Sequence, residues 1–543
     1  MKKINLIILT ILASVSMLNG QKKSPESKRP VLVVGIVVDQ MRYEYLTKYA
    51  DRYSNNGLKR LMREGMNCQD NHYNYAPTVT AAGHASVYTG TVPGVHGIVG
   101  NDWTDVATGK KVYCTEDSTV STVGTTGKSG FMSPKNLWTS TITDQLKLAQ
   151  NFKSKTIAIA LKDRGAILPG GHSANGAYWY DSKEGRWITS SFYMLSLPKW
   201  VQDFNAEQRA QKYTKAGWNT LYPIQTYTQS GPDDSPFESK LAGETAPVFP
   251  HSLQGGNPLE LIRTSPFGNS LTKDFAIKAM TEEKLGKNGT TDFLAVSFSS
   301  TDYVGHSFGP QSIELEDTYL RLDQDIAEIL TYLDKNYGKD QVLVFLTADH
   351  AVAEIPGYLN SKKMPGGVFE RVKAMADIKK ATQEAFGQSD LIVGEENSQL
   401  YFNKPVLAKM NIDRQKLIQV IKQSLQKQAG FQQLIDLQNI EATTLTDLYT
   451  TTIRNGYNPE RSGDVMILLK PQWFIGSKTG TTHSTLYAYD THVPLLFYGW
   501  KVKPSELIER TSISDISTTL ANWLQCMEPS GSIGRILSLN PKQ

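Results

Sequence analysis

Two apolar runs in this chain stop abruptly at metal-binding residue types, and this constrains the fold more than any other feature. Residues 341–350 read QVLVFLTADH, and residues 31–39 read VLVVGIVVD. A near-continuous apolar run too short for a helix is the pattern of a strand buried on both faces, as in a parallel sheet. Such sheets place their ligand crevices at the carboxyl ends of the strands, which is where Asp39 and the pair Asp349-His350 fall. Neighbouring strand residues point to opposite faces. If both Asp349 and His350 serve one site, the chain must already be turning at His350.

The same logic extends along the chain. Residues 156–160 (TIAIA) and 292–298 (DFLAVSF) read as further buried strands, the second leading to Asp302 and His306. Those two are four apart, so one helical turn puts them on one face. Helices are expected over 56–65, 139–149, 270–285 and 312–335, the last from apolar residues at 322, 326, 329, 330 and 333. A closing helix at 514–525 and strands at 463–470 and 493–498 complete the pattern. Alternating strands and helices predict an α/β fold with a mostly parallel central sheet flanked by helices. Two stretches break the alternation and read as inserted cap regions, one at about 172–260, rich in Tyr, Trp, Ser, Pro and Gly, and one at about 355–460. Residues 21–543 are therefore expected to form a single domain carrying two insertions.

The first 20 residues read differently. Lys2-Lys3, an apolar run from Ile4 to Leu18 and a polar stretch after it have the form of a cleaved secretory signal. The run is shorter than the ~20 residues of a spanning helix, so a periplasmic or secreted protein, free of the membrane after signal removal, is expected. The formal charge of +4 includes Lys2 and Lys3, leaving a nearly neutral mature chain without the basic footprint of a nucleic-acid binder. A monomer is expected. Of three cysteines, Cys68 and Cys114 could pair in an oxidising compartment, and no C-x-x-C thiolate metal site exists.

Asp39, Asp302, His306, Asp349, His350 and His483 supply three carboxylates and three imidazoles, enough to ligate two zinc ions with open positions left. The mixed oxygen and nitrogen set suits zinc rather than calcium. From spacing alone, these could also be separate, internally satisfied side chains. That reading is adopted for the other six histidines, with His84 and His96 close enough to support a site.

The residues Asp302-Tyr-Val-Gly-His306-Ser-Phe-Gly309-Pro310 resemble the D-x-x-G-H-x-x-G-P signature of nucleotide pyrophosphatases/phosphodiesterases, a branch of the alkaline phosphatase superfamily. Thr347-Ala-Asp349-His350 is similar to the superfamily's T-x-D-H strand end. Thr80-Ala-Ala-Gly-His84 resembles its nucleophile segment, and His96-Gly97-Ile98-Val99-Gly100-Asn101 the stretch that follows. Lys162-Asp163-Arg164 matches the K-x-R pair of the phosphate-irrepressible alkaline phosphatases of bacterial periplasms.

This resemblance implies two Zn²⁺ ions, one held by Asp302, His306 and His483, the other by Asp39, Asp349 and His350 with Thr80. Composition does not separate Thr80 from Thr78 or Thr89; the family's T-x-x-x-H spacing selects it as the nucleophile of a covalent phosphothreonine. Asn101, Lys162 and Arg164 would hold phosphate oxygens. Two divalent ions with Lys162 and Arg164, set against three carboxylates, leave positive charge that a monoester dianion and a threonine alkoxide would neutralise and a diester monoanion would not. Small-molecule phosphate monoesters are the expected substrates, with phosphodiester or nucleotide pyrophosphate hydrolysis on the same site as the alternative. Lys478-Thr479-Gly480 with Ser196-Leu-Pro-Lys199 spells part of a penicillin-binding pattern, but the S-D-N element is missing.

Overall fold

The computed structural model describes residues 29–538, so the expected signal segment lies outside the described residues. The strands that position the site are β1 (Leu32–Val38), β2 (Met66–Cys68), β3 (Thr122–Val123), β4 (Thr156–Ala160), β5 (Gly176–Asp181), β6 (Arg186–Ser190), β7 (Asp292–Phe298) and β8 (Val342–Thr347). They are followed by β9 (Ile392–Glu396), β10 (Gln399–Phe402), β11 (Phe431–Asp436), β12 (Val465–Leu469), β13 (Leu495–Gly499) and β14 (Ser505–Leu507). Ten of these form one sheet in the order β14-β2-β13-β8-β1-β7-β4-β5-β6-β3. Its five central members, β8-β1-β7-β4-β5, are parallel. The flanking partners β13 and β6 run antiparallel to β8 and β5.

Burial explains why these residues form the centre. All seven residues of β1 and all six of β8 are buried. Each aliphatic side chain taken fully from water contributes about 1.5–3 kcal/mol, so the central strands need helices on both faces. Register then lines up their ends. Val37 stands opposite both Ser297 and Thr347, so the segments after β1, β7 and β8 leave the sheet side by side. His350 lies beyond the end of β8, where the chain has turned, as two adjacent site residues require.

The helices nearest this edge are α1 (Thr80–Thr89), α2 (Asp163–Gly170), α3 (Ser300–Phe308) and α4 (Ile313–Asn336). The stretch at 172–260, expected as a cap, opens with β5 and β6, which continue the central sheet because β5 pairs in register with β4. The strand expected at 463–470 is β12, and it belongs to a separate four-stranded sheet, β9-β10-β12-β11. It pairs antiparallel with β10 and β11. Leu400, Phe402, Ile467 and Leu469 pack there with Ile378, Leu417 and Ile421 into a core of their own. Cys68, Cys114 and Cys526 are all free thiols. Among the described residues no helix is long and apolar enough to cross a membrane.

Candidate metal centre

The aligned strand ends bring the six expected ligands into two groups. Asp39, Asp349 and His350 form one, Asp302, His306 and His483 the other, each with one ligand atom per residue within 4.8 Å of the rest. Asp302 and His306 sit one turn apart on α3. His483 arrives from the loop after β12, and its ring stacks on that of His350 with centroids 3.5 Å apart, so the two groups abut.

The imidazoles are held in the tautomer a metal needs. His306 Nδ1 donates to Thr481 O at 2.8 Å, His350 Nδ1 to Ala351 O at 3.0 Å, and His483 Nδ1 to Thr78 O at 2.6 Å. A carbonyl oxygen only accepts, so each Nδ1 carries the proton and each Nε2 presents a lone pair. Those Nε2 atoms face carboxylates. His350 Nε2 lies 3.6 Å from Asp39 Oδ1 and 3.5 Å from Asp349 Oδ2. Neither oxygen has a hydrogen-bond partner although both are fully buried. Ligand separations near 3.5 Å suit the edges of a zinc tetrahedron with bonds of about 2.0–2.1 Å. The residues therefore fit zinc.

The electrostatics agree. Burial, reinforced by Asp349, raises the Asp39 carboxyl well above its usual range, and burial pushes Asp349 up to about 7. Burial also drives His350 down to about 3. Burial works against the Asp302 charge too, but His306 and Lys162 outweigh it and hold that carboxyl well below the usual range. Two acids and a neutral imidazole in a dry site are a poor arrangement until a cation joins them.

Thr80 opens α1, and its Oγ1 lies 3.5 Å from His350 Nε2 and 3.3 Å from Lys162 Nζ. An oxyanion at this position also gains from the helix N-terminus. Asn101 Oδ1 accepts from Ala81 N at 2.9 Å, which fixes the amide and leaves its Nδ2 to donate elsewhere. Lys162, immediately before α2, reaches Asp302 Oδ2 at 2.6 Å and Asp39 Oδ2 at 2.7 Å, one carboxylate from each group. Arg164 Nη1 donates to Tyr113 OH at 3.0 Å, and that hydroxyl donates to Asp163 Oδ1 at 2.6 Å.

The structure also shows residues that sequence reasoning passed over. Gln40, in left-handed backbone with φ 66°, donates its N–H to Asp349 Oδ1 at 3.1 Å and its Nε2 to Asp302 Oδ1 at 2.7 Å. Its adjacency to Asp39 was the one available signal. Tyr113 carried none. His84 braces Thr80 directly, its Nδ1 donating to Thr80 O at 2.9 Å. Asp70, His72 and His492 form a third group, but the two rings lie parallel at 7° and 4.6 Å. His72 is satisfied by Asp70 and Thr491, and His492 by Gln69.

A family model described as type I phosphodiesterase / nucleotide pyrophosphatase matches residues 33–494. The chain belongs to that family. Among curated members it is 48% identical over 518 residues to a protein named calcium-transporting ATPase from Myroides odoratus, covering 94% of each chain. It is 45% identical to alkaline phosphatase PhoV of Synechococcus elongatus, covering 99% of each. It is 44% identical to alkaline phosphatase PafA of Elizabethkingia meningoseptica, covering 96% of each. The crystal structure of wild-type PafA matches with a TM-score of 0.91, covering 94% of this chain and 98% of that one. PafA has also been solved as a variant with one threonine changed to serine and an asparagine, a lysine and an arginine changed to alanine.

Proposed function

We propose that this family member is an exported alkaline phosphatase that hydrolyses phosphate monoesters to an alcohol and inorganic phosphate through a covalent phosphothreonine at Thr80, with two zinc ions as cofactors. The observation that carries this reading is a pair of abutting groups, together three imidazoles with free Nε2 lone pairs and three buried carboxylates, one of which sets His350 Nε2 beside the hydroxyl that opens α1. The 44–45% identity to two alkaline phosphatases over nearly the whole chain supports the monoesterase activity. The four residue types changed in the PafA variant are the types this chain carries at Thr80, Asn101, Lys162 and Arg164.

Bound zinc would supply Lewis acidity, lowering the pKa of the attacking hydroxyl and stabilising charge on the leaving oxygen. Asp39, Asp349 and His350 would hold the ion beside Thr80, and Asp302, His306 and His483 the ion beside the leaving group. Thr80 Oγ attacks phosphorus, the bond to the ester oxygen breaks, and the alcohol departs. The Lys162 ammonium, 3.3 Å from that oxygen, favours its deprotonated form. Asn101 Nδ2 and the Arg164 guanidinium, braced by Tyr113, donate to non-bridging phosphate oxygens as charge grows there. Water then cleaves the phosphothreonine.

The family description also covers diester chemistry. Lys162 and Arg164 favour the monoester, because two fixed cations match a second phosphate charge that a diester lacks. The terminal phosphate of ATP presents the same dianionic end, so ATP belongs in the substrate panel beside aryl phosphates. Residues 1–20 supply the export reading.

Acid quenching during turnover of a ³²P-labelled monoester should leave label on the protein, and Thr80→Ala should abolish it. Aryl phosphate should be cleaved much faster than the matching diaryl phosphate. Faster diester cleavage, or unimpaired monoester turnover by Thr80→Ala, defeats the proposal.

A further inference from the structure

Orphaned, fully buried carboxylate oxygens mark the zinc-ligating residues Asp39 and Asp349, and the same signature recurs outside that centre. Glu314, on the first turn of α4, is completely buried, and Glu238 is 7% exposed. Each has an Oε2 with no hydrogen-bond partner. Glu314 Oε1 is already used, accepting from His251 Nε2 at 3.1 Å. His251 Nδ1 in turn faces Glu244 Oε2 at 2.9 Å.

The charge balance of this pocket is strongly negative. After burial, the groups acting most on Glu238 are Glu314, Asp233 and Asp234, all acids, opposed by the Ser235 hydroxyl, and together they push its carboxyl up to about 10. His251 is the one basic side chain placed here by contact, and Glu244 and Glu314 already neutralise it. Two buried carboxylates with unfilled lone pairs are costly if charged and unpaired.

We propose that Glu238 and Glu314 form a structural divalent-cation site, selective for calcium over zinc, with main-chain carbonyls and water completing its shell. The donors are oxygens, the ligand type that hard cations take, and calcium accepts irregular shells that mix carboxylate, carbonyl and water. Zinc is disfavoured because the nearby imidazole spends both its nitrogens on glutamates. The location gives the ion a purpose. Phe237 O accepts from Gly480 N at 2.9 Å, and Ser239 N donates to Ser307 O at 2.8 Å. Ser239 Oγ also meets Thr479 Oγ1 at 3.1 Å. The segment around Glu238 thus ties the end of the His306 helix to residues 479–481, the strap whose Thr481 carbonyl orients His306 and which continues to His483. An ion at Glu238 would brace that arm from behind.

The test uses the zinc-saturated full chain, dialysed against calcium at about 1 mM, a concentration at which extracellular modules bind it. Metal analysis should return one calcium per chain, and the thermal midpoint should rise with calcium at constant zinc content. Terbium, a luminescent calcium substitute, should emit when tryptophan is excited, because the Trp218 ring lies 5.1 Å from that of His251. Calcium should displace it. Glu238→Gln keeps the shape, removes one charge, and should cut calcium content at least tenfold with zinc retained. No calcium on the wild-type chain, which needs no variant to fold, overturns the site, and so does unchanged calcium in Glu238→Gln. Either result would mean that the two carboxyls share a proton instead.

Discussion

Lys162 and Arg164 share a short segment but are restrained in different ways. The Lys162 ammonium is 2% exposed and bridges Asp302 and Asp39. Burial opposes its charge, yet those two carboxylates raise its pKa above the usual lysine value, so it stays cationic across any working pH. Arg164 is aimed by Tyr113, which is anchored on Asp163. Charge-assisted hydrogen bonds are worth about 1.5–3 kcal/mol each, roughly one to two decades in rate apiece. Replacing both residues by alanine should therefore lower monoester kcat/KM by about two to four decades. Diester kcat/KM should fall much less, because its phosphorus carries one charge fewer. Parallel measurement on aryl phosphate and diaryl phosphate decides this, and equal losses would show that the pair acts on structure and not on substrate charge.

Individual elements set the site to fractions of an ångström. A Cβ on Gly83 would fall 2.1 Å from Asp349 O, so α1 packs on the turn after β8 with no room to spare. Gly83→Ala must push Thr80 away from His350, and overpacking of this kind costs about 1–3 kcal/mol. Turnover should fall by more than the loss in thermal midpoint accounts for, which kinetics and melting on one preparation will show. The helix Ile142–Ala149 offers a pH readout away from the metal centre. Thr141 and Asp144 form a reciprocal capping box. Burial tends to raise the Asp144 carboxyl, but hydrogen bonds from His172, Ser173 and Thr141 outweigh it and bring it down to about 2. A carboxyl held low in the folded state stabilises above its unfolded pKa, near 4, and that contribution disappears as pH falls through about 2; here it amounts to roughly 2 kcal/mol. Asp144→Asn should thus melt earlier than the parent at pH 7, with the gap closing between pH 4 and 2. A constant gap over that range would show that the charge is not what matters. The strand ends were legible in the sequence because their signal is local: an apolar run with a polar stop. The sheet to which β12 belongs was not legible, since VMILL suits either sheet and its neighbours are chosen by distant chain. Tyr113 and Gln40 were equally hidden, because their roles exist only once strands far apart in sequence are adjacent.

At the scale of the whole molecule, the six candidate ligands come from four separate places in the chain, and the fold must hold like charges together before any ion arrives. Asp39 and Asp349 are fully buried; Asp349 and Asp302 raise the cost of ionising Asp39, and Asp302 raises that of Asp349. Lys162 offsets only part of that. Ions that bind the folded chain and not the unfolded one add stability as RT ln(1 + [L]/Kd), about 4 kcal/mol at a thousandfold excess over Kd. Chelation should therefore abolish turnover and lower the thermal midpoint by several degrees, and zinc should restore both. The apo form should also respond more steeply to pH than the holo form. Asp349 rises to about 7 by burial. Its folded-state pKa exceeds the unfolded one, so its neutral form favours folding at low pH, and that support is lost as pH climbs through about 7. Apo enzyme should then lose midpoint as pH rises from about 4 to about 7 and level off above that, while zinc-loaded enzyme, whose carboxylates are held ionised by metal, stays nearly level. Melting curves of both forms across that range test the argument, and a flat apo profile would mean that Lys162 alone is enough to hold the strand ends together.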